Sequence, residues 1–152
     1  MSRTPRIGLA ALAIVALATP AAAELAAWDQ ARATAIAQQL ADAADAWELA
    51  VREQPGGAVG SGDAQEEFGL AGKARALREQ TRALAGHLAA GKGHDETRNL
   101  YRDVKELADD TAEIAQRAEL DEPTMDAWAK VADLQRQLAP YYDPKANEEK
   151  GK

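Results

Sequence analysis

Between Thr97 and Ala118, small or apolar residues recur at unbroken alternating steps of three and four. The series is Thr97, Leu100, Val104, Leu107, Thr111, Ile114 and Ala118. A helix of about 3.6 residues per turn gathers such a series on one face; a strand would scatter it over both. The segment is therefore an amphipathic helix whose stripe must be buried against other helices. No stretch of the chain alternates with period two for long enough to form a strand. These patterns predict an all-α fold.

The same reading gives four helices, at about 25–53, 63–90, 94–119 and 122–139. In the first, Leu25, Trp28, Ile36, Leu40, Ala44, Trp47 and Val51 share a face. The run QPGGAVGSG, 54–62, ends it as a Pro/Gly-rich loop. Asp63 and Glu66 have capping-box spacing at the start of the second helix. Its seam is Leu70, Ala74, Leu77, Thr81, Leu84 and Leu88, and Gly91-Lys92-Gly93 stops it. Asp121 is a suitable N-cap for the fourth helix, with Pro123 in the first turn, where proline is tolerated. Met125, Trp128, Val131, Leu134 and Leu138 form its buried face. Pro140 ends it, Tyr141 and Tyr142 fold back on the end of the helices, and within the polar C-terminal tail, 140–152, residues 143–152 fray.

Short connections after the second and third helices favour antiparallel neighbours. The expected architecture is an antiparallel up-down-up-down four-helix bundle over residues 24–139, following an N-terminal signal peptide. A three-helix bundle with a detached first helix is the alternative. Abundant core Ala should let helix axes approach closely, with Trp28, Trp47 and Trp128 filling the remaining volume. Arg75, Arg78 and Arg82 flank the second seam on one side. Asp103, Glu106, Asp110 and Glu113 flank the third on the other, so the two stripes should face different neighbours.

Arg3 and Arg6 precede an apolar run from Ile7 to Ala18, then Pro20 and Ala21-Ala22-Ala23. That is the charged, apolar, small-residue order of a secretory signal peptide, 1–23, cleaved after about Ala23. The run is shorter than the roughly 20 residues a spanning helix needs. The expected location of the mature chain is periplasmic or secreted, with no membrane span.

The 152-residue chain holds 18 Lys+Arg and 25 Asp+Glu. With the leader removed, Arg3 and Arg6 are lost and every acidic residue is kept, so the net charge becomes −9. Such a surface repels phosphate backbones and disfavours nucleic acid as a partner. The absence of Cys excludes thiol catalysis, thiolate metal sites and covalent c-type haem attachment.

His87 and His94 flank the turn between the second and third helices. With Asp95 they could form an exposed Cu or Zn site. Both imidazoles also suit ordinary surface positions near helix ends, and His87 suits a helix C-terminus electrostatically. For catalysis, Ser61 sits in a Gly-rich loop without a neighbouring His, and no Glu-x-x-His pair of the di-iron type exists. No catalytic residue and no cofactor is therefore assigned.

Phe68 opening the second helix, the Gly-bounded turn and the amphipathic third helix resemble, in helix order and spacing, the cytochrome c-prime and b-type bundle cytochromes. The resemblance covers most of the mature chain. It implies a scaffold rather than a haem. No Cys-x-x-Cys-His occurs, the first helix offers neither Met nor His, and the fourth offers only Met125 in its first turn. The functional expectation is a non-catalytic exported module that binds a protein partner or associates with itself. The alternative is a small-ligand or metal carrier using the His87/His94 end.

Overall fold

The computed structural model describes residues 25–54 and 64–147, with the backbone alone for 64–68, 146 and 147. The protein is all-helical. Its elements are α1 (Gln30–Glu53), α2 (Ala64–Ala89), α3 (His94–Arg117) and α4 (Glu122–Leu138), then 3-10 turns at Ala139–Tyr141 and Pro144–Asn147. Among the described residues there is no strand. The expected signal peptide and the Asp63 cap lie outside the described residues.

α1 starts later than its apolar spacing suggests. Asp29 is the N-cap, its carboxylate accepting from the Arg32 N–H at 3.0 Å. A side-chain oxygen here satisfies one of the amides that the first turn leaves unpaired. Leu25 and Trp28 therefore precede the helix, and Leu25 is 40% exposed. α2 ends in a Schellman motif. The Lys92 N–H donates to the His87 carbonyl at 3.1 Å and the Gly91 N–H to Leu88 at 3.0 Å. Gly91 has φ of +82°, which a residue with a Cβ rarely adopts. At the head of α4, Asp121 caps the Thr124 N–H at 3.0 Å, as expected.

α1 is the packing hub. It lies against both α2 and α4, α2 also lies against α3, and α3 and α4 make almost no close backbone approach. Side-chain size explains this. Ala33, Ala37, Ala41 and Ala44 are buried on α1, so its backbone can come close to two neighbours. Trp47 supplies the bulk, fully buried against Trp128 with ring centroids 5.2 Å apart.

The seam of α2 is as the sequence implies: Leu70, Ala74, Leu77, Thr81, Leu84 and Leu88 are all buried. The seam of α3 is rotated. Thr97, Tyr101, Val104, Ala108, Thr111 and Ala115 are buried, whereas Leu100, Leu107, Ile114 and Ala118 are only partly so. Both series alternate threes and fours; the buried one lies about one residue further round the helix. On α4, Val131 and Leu138 are buried, but Met125 is 58% exposed rather than part of the core. Buried Thr hydroxyls are satisfied within their own helices, Thr81 by Leu77 O at 2.8 Å and Thr111 by Leu107 O at 2.6 Å. These two hydroxyls thus enter the core without an unmet hydrogen bond, whereas the Trp47 indole N–H and the Tyr101 hydroxyl are buried without a partner.

Charged groups join helices at the edges. Glu48, only 4% exposed, receives Arg78 at 2.6 Å, with Arg52 at 3.9 Å. Arg82 pairs with Asp45. Lys73 of α2 pairs with Asp110 of α3 at 2.7 Å. Arg78 and Arg82 of the α2 stripe thus meet α1, whereas Asp110 of the acidic α3 stripe meets α2 through Lys73, and Asp103, Glu106 and Glu113 pair within α3.

Candidate functional site: an aromatic and histidine cluster at the helix ends

The residues that the sequence singles out for metal binding sit beside the Gly91 turn. His94 is the first residue of α3, and Asp95 follows it. The His94 Nδ1–H donates to Asp95 Oδ1 at 2.8 Å. The Asp95 carboxyl is held below the usual carboxylate range, mainly by that hydrogen bond and the nearby imidazole charge, with Arg98 adding to it. His87 lies in the last turn of α2 and is half-buried, its Nδ1 buried without a partner. Among the described residues no group of three His, Asp or Glu side chains converges in a way that could hold a metal ion. The structure joins His94 to Asp95 and does not bring His87 to them as a third ligand.

What does converge on His94 is aromatic. Its ring stacks on Tyr142 at 5.3 Å between centroids and meets Trp28 edge-on at 5.5 Å. Tyr142 stacks on Tyr101 at 4.3 Å, nearly parallel. Trp28 makes further edge contacts with Tyr141 and Tyr142. Each such pair adds roughly 0.5–1.5 kcal/mol beyond its buried area. Tyr142 is thus stacked against both His94 and Tyr101 and met edge-on by Trp28.

Polar groups lock the rings in place. Tyr142 Oη lies 2.7 Å from Thr97 Oγ1. The Thr97 hydroxyl donates to the Gly93 carbonyl at 2.8 Å, which leaves it to accept from Tyr142. The Tyr101 hydroxyl is buried without a partner. Burial, reinforced by Asp143 and Asp109, pushes the Tyr101 phenol well up. Burial also raises Tyr142, opposed by its bond to Thr97.

One side chain ties three segments together. Gln30 accepts from the Trp28 indole N–H at 3.0 Å and donates to the carbonyls of Leu88 at 2.9 Å and Lys92 at 3.1 Å. It thereby adds a further bond at the Leu88 carbonyl, which already accepts from Gly91, and takes up that of Lys92. Nearby, the Ala26 N–H donates to the Pro140 carbonyl at 2.8 Å. At the other end of α1, Gln54 donates to the Glu119 carbonyl at 2.9 Å and holds the turn into α4.

The expected return of Tyr141 and Tyr142 onto the helices is seen; their meeting with Trp28, Tyr101 and His94 is not legible in the spacing. Trp28 reads as a first-helix core position, and Tyr101 stands one place off the series assigned to α3. Gln30 carries no sequence signal at all, because its partners are carbonyls far along the chain. No protein-family model, curated protein or solved structure matches this chain.

Proposed function

We propose that this chain is an exported, non-catalytic helical module, its leader cleaved after about Ala23, whose four helices run up-down-up-down. In this reading it acts through its surface, by binding a protein partner or a second copy of itself. The observation that carries the reading is the closed interior. Leu40, Trp47, Leu77, Leu84, Leu88, Val104, Val131 and Leu138 are essentially without exposure and come from all four helices. The polar side chains among them work on the scaffold: Gln30 on the α2 end, Thr97 on Tyr142, Glu48 on Arg78. A core of this kind leaves recognition to the outside.

The helix order is supported by the order of contacts. Asp45 meets Arg82 and Glu48 meets Arg78, so the pairing advances along α1 as it retreats along α2. The Thr124 hydroxyl lies 3.4 Å from Ala50 O near the start of α4, and Pro140 meets Ala26 beyond its end. No helix among the described residues is long and apolar enough to cross a membrane.

The test is native mass spectrometry of the mature chain purified from cell envelope, together with crosslinking in that extract. A saturable complex with one protein, or a concentration-dependent dimer, is expected. A stoichiometric small molecule retained by the monomer would overturn the reading in favour of a carrier.

A further inference from the structure

The two chain reversals on either side of α3 are built differently. The α2–α3 turn is closed by the Gly91 and Lys92 N–H groups, which donate back into α2. Among the described residues, Gly91 alone has a positive φ. From α1, Gln30 adds bonds to the Leu88 and Lys92 carbonyls. α2 and α3 also pack along each other. That reversal is locked.

The α3–α4 connection has none of these devices. Ala118, Glu119, Leu120 and Asp121 include no glycine. Ala118 (φ −78°, ψ 142°) and Asp121 (φ −71°, ψ 164°) are already extended. Among the described residues, the connection has one hydrogen bond to the rest of the fold, from Gln54 to the Glu119 carbonyl. α3 and α4 themselves hardly approach each other. What holds α4 lies far along the chain. Trp128 meets Trp47 of α1, the Thr124 hydroxyl lies 3.4 Å from the Ala50 carbonyl, and the Pro140 carbonyl accepts from Ala26.

An element bound to distant surfaces, and scarcely to its own neighbour, can be supplied by another copy without losing those contacts. We propose that Ala118–Asp121 is a hinge, and that two copies of this chain exchange α4 with its C-terminal turn. Each α4 then seats on the α1 of the other copy. Trp128 of one copy packs on Trp47 of the other, and Tyr142 of one stacks on Tyr101 of the other. Only the hinge changes: it straightens, and Gln54 releases Glu119. This goes beyond the surface contact proposed above and does not depend on export.

Within one chain, α4 competes for its own α1 at an effective concentration of roughly millimolar. Exchange therefore needs chains that refold together near that concentration. Once formed, the dimer reverts only through undocking of α4.

The experiment uses the mature chain, which carries every contact described above. It is unfolded in urea and refolded at roughly 1 mM as an equal mixture of isotope-labelled and unlabelled copies. The dimer is isolated by gel filtration. Isotope-filtered NOEs between the Trp47 and Trp128 rings then read whether that contact lies within a copy or between copies. Between-copy NOEs are expected. Gln54→Ala removes a bond that only the folded-back hinge makes, and should raise the dimer-to-monomer ratio roughly tenfold. A short Gly/Ser insert between Glu119 and Leu120 eases the reversal and should leave monomer alone. A dimer whose Trp47–Trp128 contact stays within each copy would overturn the exchange and leave surface self-association standing. Absence of dimer from both the parent chain and Gln54→Ala would also overturn it.

Discussion

Tyr101 and Tyr142 lie face to face, yet their hydroxyls are treated differently. Tyr142 is bonded to Thr97, whereas the Tyr101 hydroxyl is buried with no partner. A buried, unpartnered hydroxyl costs about 1–3 kcal/mol, while a satisfied one contributes about 1 kcal/mol. Tyr101→Phe should therefore leave stability unchanged or raised, and Tyr142→Phe should lower it by about 1 kcal/mol in urea denaturation. A loss of stability in Tyr101→Phe larger than that in Tyr142→Phe would contradict this account. The pair also sets an alkaline limit. Both phenols are raised in the folded state, by burial first, whereas unfolded tyrosine ionises near pH ~10. The folded state therefore holds its phenolic protons to higher pH than the unfolded state does. The stability this gives is complete below pH ~10 and is lost as pH rises toward the folded values. The urea midpoint should fall as pH rises above ~10, and less steeply in Tyr101→Phe. These properties follow from what surrounds each ring, which a phenol's position in the sequence does not disclose.

Among the elements, α1 matters most because its small residues let two neighbours approach. Ala37 and Ala44 are without exposure, so either residue changed to Leu would force the backbones apart. The expected cost is about 1–3 kcal/mol, read as a fall in the thermal midpoint. A neutral result at both positions would show that the interfaces have slack. The ion pair between Glu48 and Arg78 is the other device on this helix. Glu48→Ala should cost about 3 kcal/mol by leaving the partly buried Arg78 with only the exposed Glu79, at 3.8 Å, as its partner. Glu48→Leu combined with Arg78→Leu should cost far less, since a buried pair repays little more than its desolvation. A double variant as unstable as Glu48→Ala would refute that view.

Sequence pattern read the elements unequally. Every seam residue of α2 was legible because large apolar residues mark its face. On α3, two series with the same alternation compete. The buried one uses Tyr101, Ala108 and Ala115, residues at home on a surface as well as in a core. The exposed Met125 shows the same limit at a helix start, where its neighbour Thr124 is the buried residue of the first turn.

For the whole molecule, the non-local fastenings give the fold its closure. α3 and α4 hardly approach through their backbones, and the Tyr142 return bridges them at one end through Thr97 and Tyr101. Gln30 and Gln54, at the two ends of α1, hold the turns on either side of α3. Single amide side chains meeting distant carbonyls have no periodicity, so this part of the architecture was invisible in the sequence. Fold class and helix number were visible, because they rest on repeating seams.

The central claim is that α1 is the hub of one shared core rather than a helix appended to the other three. Native-state hydrogen exchange on the mature chain tests it most directly. The amides of Leu40, Ala41 and Ala44 should open with the same free energy as those of Leu77, Leu84 and Val104, equal to that of global unfolding. Exchange of the α1 amides several orders of magnitude faster, with α2 to α4 still protected, would contradict it.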